Sequence, residues 1–127
     1  MNTFNAFETG HLLTKEFAKD FKDIPWSKHQ TFAGVYLKPL ITSNDTNGEF
    51  SYHLVKIEPN MEIGKHIHET QLETHEVILG DGICINNEAE IEYSIGTISI
   101  LSAGSNHSVK AGKNGLYLFA KFFPALC

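Results

Sequence analysis

From Thr31 to Phe123 the apolar residues fall in short runs, mostly at alternate positions, and Gly, Asn, Asp and Ser clusters break them up. Alternation of this kind fits half-buried β-strands, in which successive side chains point to opposite faces. The pattern predicts strands at 31–41, 49–57, 63–68, 73–79, 83–86, 89–93, 97–101, 107–109 and 115–123. In the run from Ser51 to Glu58, Lys56 and Glu58 belong to water, which sends His53, Val55 and Ile57 inward. The last strand is apolar on both faces apart from Lys121, so its outer face should cover a second sheet or a partner subunit. Pro59-Asn60 suits a type II turn, with Asn where positive φ is needed, and Asn86-Asn87-Glu88 reads as a hairpin. Ser43 to Gly48 reads as a loop, and Gly112 to Gly115 as a turn between strands.

The N-terminal segment has a different period. Leu13, Phe17 and Phe21 stand at i, i+4 and i+8, which predicts one short helix over residues 11–22, ended by Ile24-Pro25. The reading is therefore all-β with a short N-terminal helix. A single domain would span 1–127, with helix and arm over 1–30 and a β-barrel core over 31–123.

Composition narrows the class. At 127 residues, 42% hydrophobic and 20% charged, the chain is an ordinary globular domain able to bury a core. Its net charge of −5, with lysines scattered, argues against nucleic acid or an anionic membrane and toward a small-molecule partner. No apolar run approaches the roughly 20 residues that cross a bilayer, and the first residues lack a secretory pattern, so a cytoplasmic location is expected. Cys84 and Cys127 form no C-x-x-C pair and are expected to be free thiols. Phosphate-loop, dinucleotide and nucleophile-elbow motifs do not occur.

The chemistry concentrates between Pro59 and Gly82, where His66, His68 and His75 lie within ten residues of one another, interleaved with Glu69, Glu73 and Glu76. On a strand, His66 and His68 point the same way about 7 Å apart, close enough for two imidazoles to share one ion. A turn after His68 would return the chain alongside, with Glu73 near the start of the next strand. His75 follows Glu73 by two and shares its face. It is open to three roles: ligand in place of Glu73, acid–base group beside the ion, or hydrogen-bonded core histidine. His53 and Gln71 are candidates for the pocket lining, His53 by its inward face and Gln71 by its place before Glu73. His11 and His29 fall outside the barrel pattern and read as surface residues, and Glu69 and Glu76 should face away from the ion.

Downstream, Gly96 to His107 is a strand, a glycine-containing turn and a histidine opening the next strand. At these residues the chain resembles the cupin superfamily, whose motifs are G-x5-H-x-H-x3,4-E-x6-G and G-x5-P-x-G-x2-H-x3-N. His66, His68, Glu73 and Gly80 match the first, with Asn60 in place of its leading Gly. Gly96, Gly104 and His107 match the second, with Ser102 for the Pro and Ala111 for the Asn. The resemblance covers roughly 31–123 and implies a cupin-type β-barrel, or jelly roll. It also implies one divalent metal ion on His66, His68, Glu73 and His107, and a homodimer that exchanges N-terminal strands. Three imidazoles and a carboxylate accept Fe, Mn, Co, Ni, Cu or Zn, and four protein ligands around an octahedral ion leave two positions open. A small metal-dependent enzyme is the leading expectation, with dioxygenase, isomerase and lyase chemistry all open and His75 moving a proton. The alternative is a non-catalytic sensor or carrier using the same barrel.

Overall fold

The structure, a computed structural model, describes residues 2–127. Its elements are α1 (Thr3–Glu8), β1 (His11–Leu13), β2 (Ala18–Asp20), β3 (Ser27–Lys28), β4 (Val35–Ile41) and α2 (Ser43–Thr46), followed by β5 (Ser51–Ile57), β6 (Glu62–Ile67), β7 (Leu72–Asn86), β8 (Ala89–Tyr93), β9 (Ile98–Leu101) and β10 (Asn106–Phe123).

Two long strands carry the architecture. The first half of β7 pairs with β9 and with the second half of β10, which in turn pairs with β5, and the sheet continues from β5 to β4 and from β4 to β3. The second half of β7 pairs with β8 and with the first half of β10, which pairs with β6. Each long strand thus passes from one antiparallel sheet into the other. The sheets close over a core that includes Val55, Val77, Leu101 and Leu118 from one and Cys84, Tyr93 and Val109 from the other.

This bending explains where the strand expectations need correction. The separate runs at 73–79 and 83–86 are one strand, and 112–115 is a bulge inside β10, not a turn between strands. Gly80 makes the corner possible: its φ is 81°, and a Cβ there would lie 2.0 Å from the Gly115 carbonyl oxygen. Glycine-rich sequence marks a bend as readily as an end, and only the continued pairing on both sides separates the two. The loop at 43–48 also holds the short helix α2, closed by an Asp45–Thr42 capping box and by Asn47 at φ 54°.

The helix expected over 11–22 is absent. That stretch forms the β1–β2 hairpin and a 3-10 turn, Phe21–Asp23, while the N-terminal helix is α1, capped by the Asn2 side chain accepting from the Asn5 N–H. Thr14 Oγ1 accepts from the N–H groups of Glu16 and Phe17 and so folds the chain back before a helix can propagate. Leu13 and Phe17 are exposed, and only Phe21 of the supposed stripe is buried.

The outer face of β10 is covered by this chain's own arm. Phe4 packs edge-on to Tyr117 and Phe7 to Phe119, at ring separations of 5.0 and 4.8 Å. The arm is tied down by the Trp26 indole N–H donating to Glu8 Oε2 at 2.7 Å and by the buried Lys38 ammonium donating to the Glu8 carbonyl at 2.7 Å. Burial pushes the Lys38 pKa down. Burial also works to raise that of Glu8, but the Trp26 and Asn5 hydrogen bonds carry it below the usual value. Among the described residues, no helix is long and apolar enough to cross a membrane.

Candidate metal centre

The strand pairing delivers the donors from three places. His66 of β6 stands directly across from His107 of β10 in the ladder, with ring centroids 4.3 Å apart. His68 follows just beyond β6, and its carbonyl accepts the Gly104 N–H at 2.9 Å, which pins it to the turn leading into His107. Glu73 enters from β7, where it pairs with Phe122 of β10 and Leu101 of β9. One donor atom from each of His66, His68, Glu73 and His107 lies within 4.8 Å of every other. Donor atoms this close could be drawn onto one ion with bonds of about 2.1 Å, which would leave two positions of an octahedral shell open.

Hydrogen bonding sets the ring orientation. His66 Nδ1–H donates to the Gly64 carbonyl at 2.8 Å, and His107 Nδ1–H points to the Ser105 carbonyl at 3.3 Å. Neutral rings fixed in this way turn Nε2 lone pairs toward the centre. His107 Nε2 and Glu73 Oε1 are both buried without a hydrogen-bond partner, although they face each other at 3.1 Å. Two lone pairs at that distance repel, and the contact is not aligned as a hydrogen bond. A cation between them removes the repulsion, so the residues fit a metal ion.

Electrostatics agree. Burial works to raise the Glu73 pKa, yet His75 beside it holds it well below the usual carboxylate range. Desolvation lowers the pKa of His66 and of His68, keeping the rings in the neutral form that ligates.

His75 shares the cluster's wall but is not one of the four converging donors. Its Nε2 lies 2.7 Å from Glu73 Oε2 and its Nδ1 2.8 Å from the Tyr93 hydroxyl, so both nitrogens are engaged. His53 and His75 flank Ala120 on one rung of β5–β10–β7, and both line a cavity of about 120 Å³ with His66, His68 and Glu73. His53 contacts the Ser51 hydroxyl at 2.9 Å, and burial pushes its pKa down to about 4. Gln71 is half-buried in the turn before β7 and does not line that cavity. Glu69 is exposed, and Glu76 pairs with Lys121.

Sequence reasoning missed His29, which lines the cavity from the strand-poor segment between β3 and β4. Its Nδ1 accepts the N–H groups of Thr31 and Phe32, a local turn that tethers the ring. In sequence terms His29 reads as a surface residue because it falls outside the strand pattern, and nothing local tells which way its turn faces. A larger cavity of about 630 Å³ lies on the outer face beside α1 and β9, away from the four donors but lined in part by His11, and its other lining is mainly apolar.

No family model matches the chain. An oxalate-binding protein of Thermotoga maritima is 27% identical over 56 residues, a match that covers 44% of this chain and 46% of that protein, just under half its length. A predicted oxalate decarboxylase from Thermotoga maritima superposes with a TM-score of 0.74 at 20% identity, over 81% of this chain and 95% of the other. An RmlC-like cupin from Shewanella frigidimarina gives 0.73 at 15% identity, over 89% and 94%. Likeness at this level of identity speaks to the fold.

Proposed function

The chain has the cupin fold, and from that premise we propose that it is a metal-dependent enzyme acting on a small organic acid held at its His66, His68, Glu73 and His107 centre. One observation carries the reading: four donor atoms within 4.8 Å of one another, two of them buried and unpartnered, with His66, His68 and Glu73 lining a cavity. A divalent ion bound there supplies Lewis acidity toward a carbonyl or carboxylate oxygen at its open positions.

The residues do the rest. The cavity is far smaller than the roughly 300–1,000 Å³ typical of drug-sized sites, which limits the substrate to a few heavy atoms. Leu37, Val55, Ile63, Leu118 and Phe122 line it and exclude bulk water, which strengthens every charge interaction inside. Among its lining residues there is no lysine, so a carboxylate substrate would depend on the ion itself and on histidine N–H groups. The names carried by the similar sequence and the similar structure from Thermotoga maritima, oxalate-binding protein and predicted oxalate decarboxylase, favour a small dicarboxylate and lyase chemistry over isomerase or dioxygenase chemistry. His75, adjoining Glu73, remains the nearest group for holding or passing a proton.

A second reading, a non-catalytic carrier of the same ligand, draws on the engagement of both His75 nitrogens, which leaves no free acid–base group at the ion. The readings separate on turnover: an enzyme converts the acid that it binds, and a carrier returns it unchanged. The ligand set is tested by elemental analysis of the purified protein. One equivalent of metal is expected in the wild type and loss of most of it in His66→Ala and His107→Ala; stoichiometric metal in both variants rules the set out. A second copy of the chain is part of the proposal, supported by the exposed Ile95, Ile98 and Ile100.

A further inference from the structure

We propose that His75 and Tyr93 act as a clamp that commits Glu73 Oε2 to the protein and leaves Oε1 as the sole oxygen offered to the ion. This rests on the metal reading above and deepens it, because the clamp decides how many coordination positions Glu73 occupies.

The argument begins with what each atom can do. A carboxylate only accepts hydrogen bonds, so the 2.7 Å contact between Glu73 Oε2 and His75 Nε2 requires the ring to donate there. In a neutral ring Nδ1 is then a lone pair, and the hydroxyl 2.8 Å away, that of Tyr93, must donate to it. Tyr93 is suited to this. It is fully buried at the end of β8, and desolvation raises its pKa, so the phenol keeps its proton. Cys84 and Ser99 adjoin its oxygen from β7 and β9. The directional chain Tyr93 O–H to His75, His75 N–H to Glu73 is satisfied at each link and ends on the oxygen that faces away from the donor cluster.

The opposite oxygen has no such anchor. Oε1 is the buried, unpartnered atom, 3.1 Å from His107 Nε2 and 3.8 Å from His68 Nε2. An unclamped glutamate can rotate about its terminal torsion and take two positions on the ion. With Oε2 held, it takes one, and an octahedral ion keeps two positions for substrate. Burying an imidazole and a phenol is costly unless each polar atom is paired, so an apolar pair would fill this space more simply. The polar pair is retained where it can aim the only carboxylate of the cluster.

The test is cobalt(II) titration of the metal-free protein, read as affinity and as the visible ligand-field spectrum, for wild type, His75→Leu, His75→Gln and Tyr93→Phe. The expected result is a 10- to 100-fold loss of cobalt affinity in His75→Leu with a changed spectrum, recovery of most of the loss in His75→Gln, which keeps an N–H donor, and an intermediate spectrum in Tyr93→Phe. Affinity within twofold of wild type and an unchanged spectrum in folded His75→Leu would overturn the clamp, as would His75→Gln behaving like His75→Leu. Should His75→Leu not fold, the near-isosteric Tyr93→Phe decides alone, and wild-type affinity and spectrum there overturn the proposal. A wild-type protein that binds no cobalt overturns the metal reading itself, whereas wild-type binding without the variant effects overturns the clamp only.

Discussion

His53 illustrates how much a single side chain can carry. Its ring is buried at the cavity, and desolvation pushes its pKa from the usual 6.5 down to about 4. The unfolded chain therefore takes up a proton between pH 6.5 and 4 that folded His53 refuses. The stability owed to the neutral ring is complete above pH 6.5, falls as the pH drops toward 4, and changes no further below that. The size is at most about 3 kcal/mol. Denaturant unfolding of the metal-free protein at pH 7.5 and 5.0 should show a marked loss for wild type and a smaller loss for His53→Gln. Burial of His66 and His68 acts in the same direction, so the difference between the two proteins is the quantity to read. At the same scale, Asn60 adopts φ 62°, the positive value for which the turn pattern selected it in place of glycine. Local conformational preference is legible because it depends on the residue's own backbone and little else.

Among the elements, the shorter barrel strands were legible, whereas the two long strands were read in pieces, β4 begins four residues later than expected, β1 to β3 were not expected, and the N-terminal helix was misplaced. Strands β5, β6, β8 and β9 fall within two residues of where alternation and turn chemistry set them. A helix over 11–22 failed because the i, i+4 spacing of three apolar residues is weak evidence in a segment with its own turn at Thr14. The true helix, α1, is six residues long and depends on contacts that no local pattern encodes: Glu8 to Trp26, Lys38 to the end of α1, and Phe4 against Tyr117. A helix this short is unstable alone and exists by docking. Phe4→Ala should therefore cost about 3 kcal/mol or more and speed amide exchange in α1 and around Trp26. Cobalt affinity should stay within twofold of wild type, because Phe4 packs on the outer face while the four donors converge inside; the two readouts on one variant check both claims.

At the scale of the molecule, two long strands bent at matching corners turn one pairing pattern into two facing sheets and bring residues from distant parts of the chain to a single point. The apolar outer surface is divided. The arm covers Tyr117 and part of Phe119, while Ile98 and Ile100 point outward from β9, which among the described residues pairs only with β7. An edge strand with bare isoleucines invites another chain. If the proposed second copy sits there, sedimentation of wild type should give a dimer and the double variant Ile98→Lys/Ile100→Lys a monomer, with the cobalt spectrum unchanged.

The sequence by itself determined the β-class of the core, the turns that need positive φ, and the placing of His66 and His68 on one face, because strand alternation and turn chemistry are short-range properties; that Glu73 and His107 join them was implied by the resemblance to the cupin superfamily. Tertiary structure alone decided that His29 reaches the cavity, that His75 is held between Glu73 and Tyr93, and that the arm closes over β10. Each of these depends on which strands lie side by side and which face a turn presents. Such choices follow from burying the whole core at once, and no window of the chain contains that information.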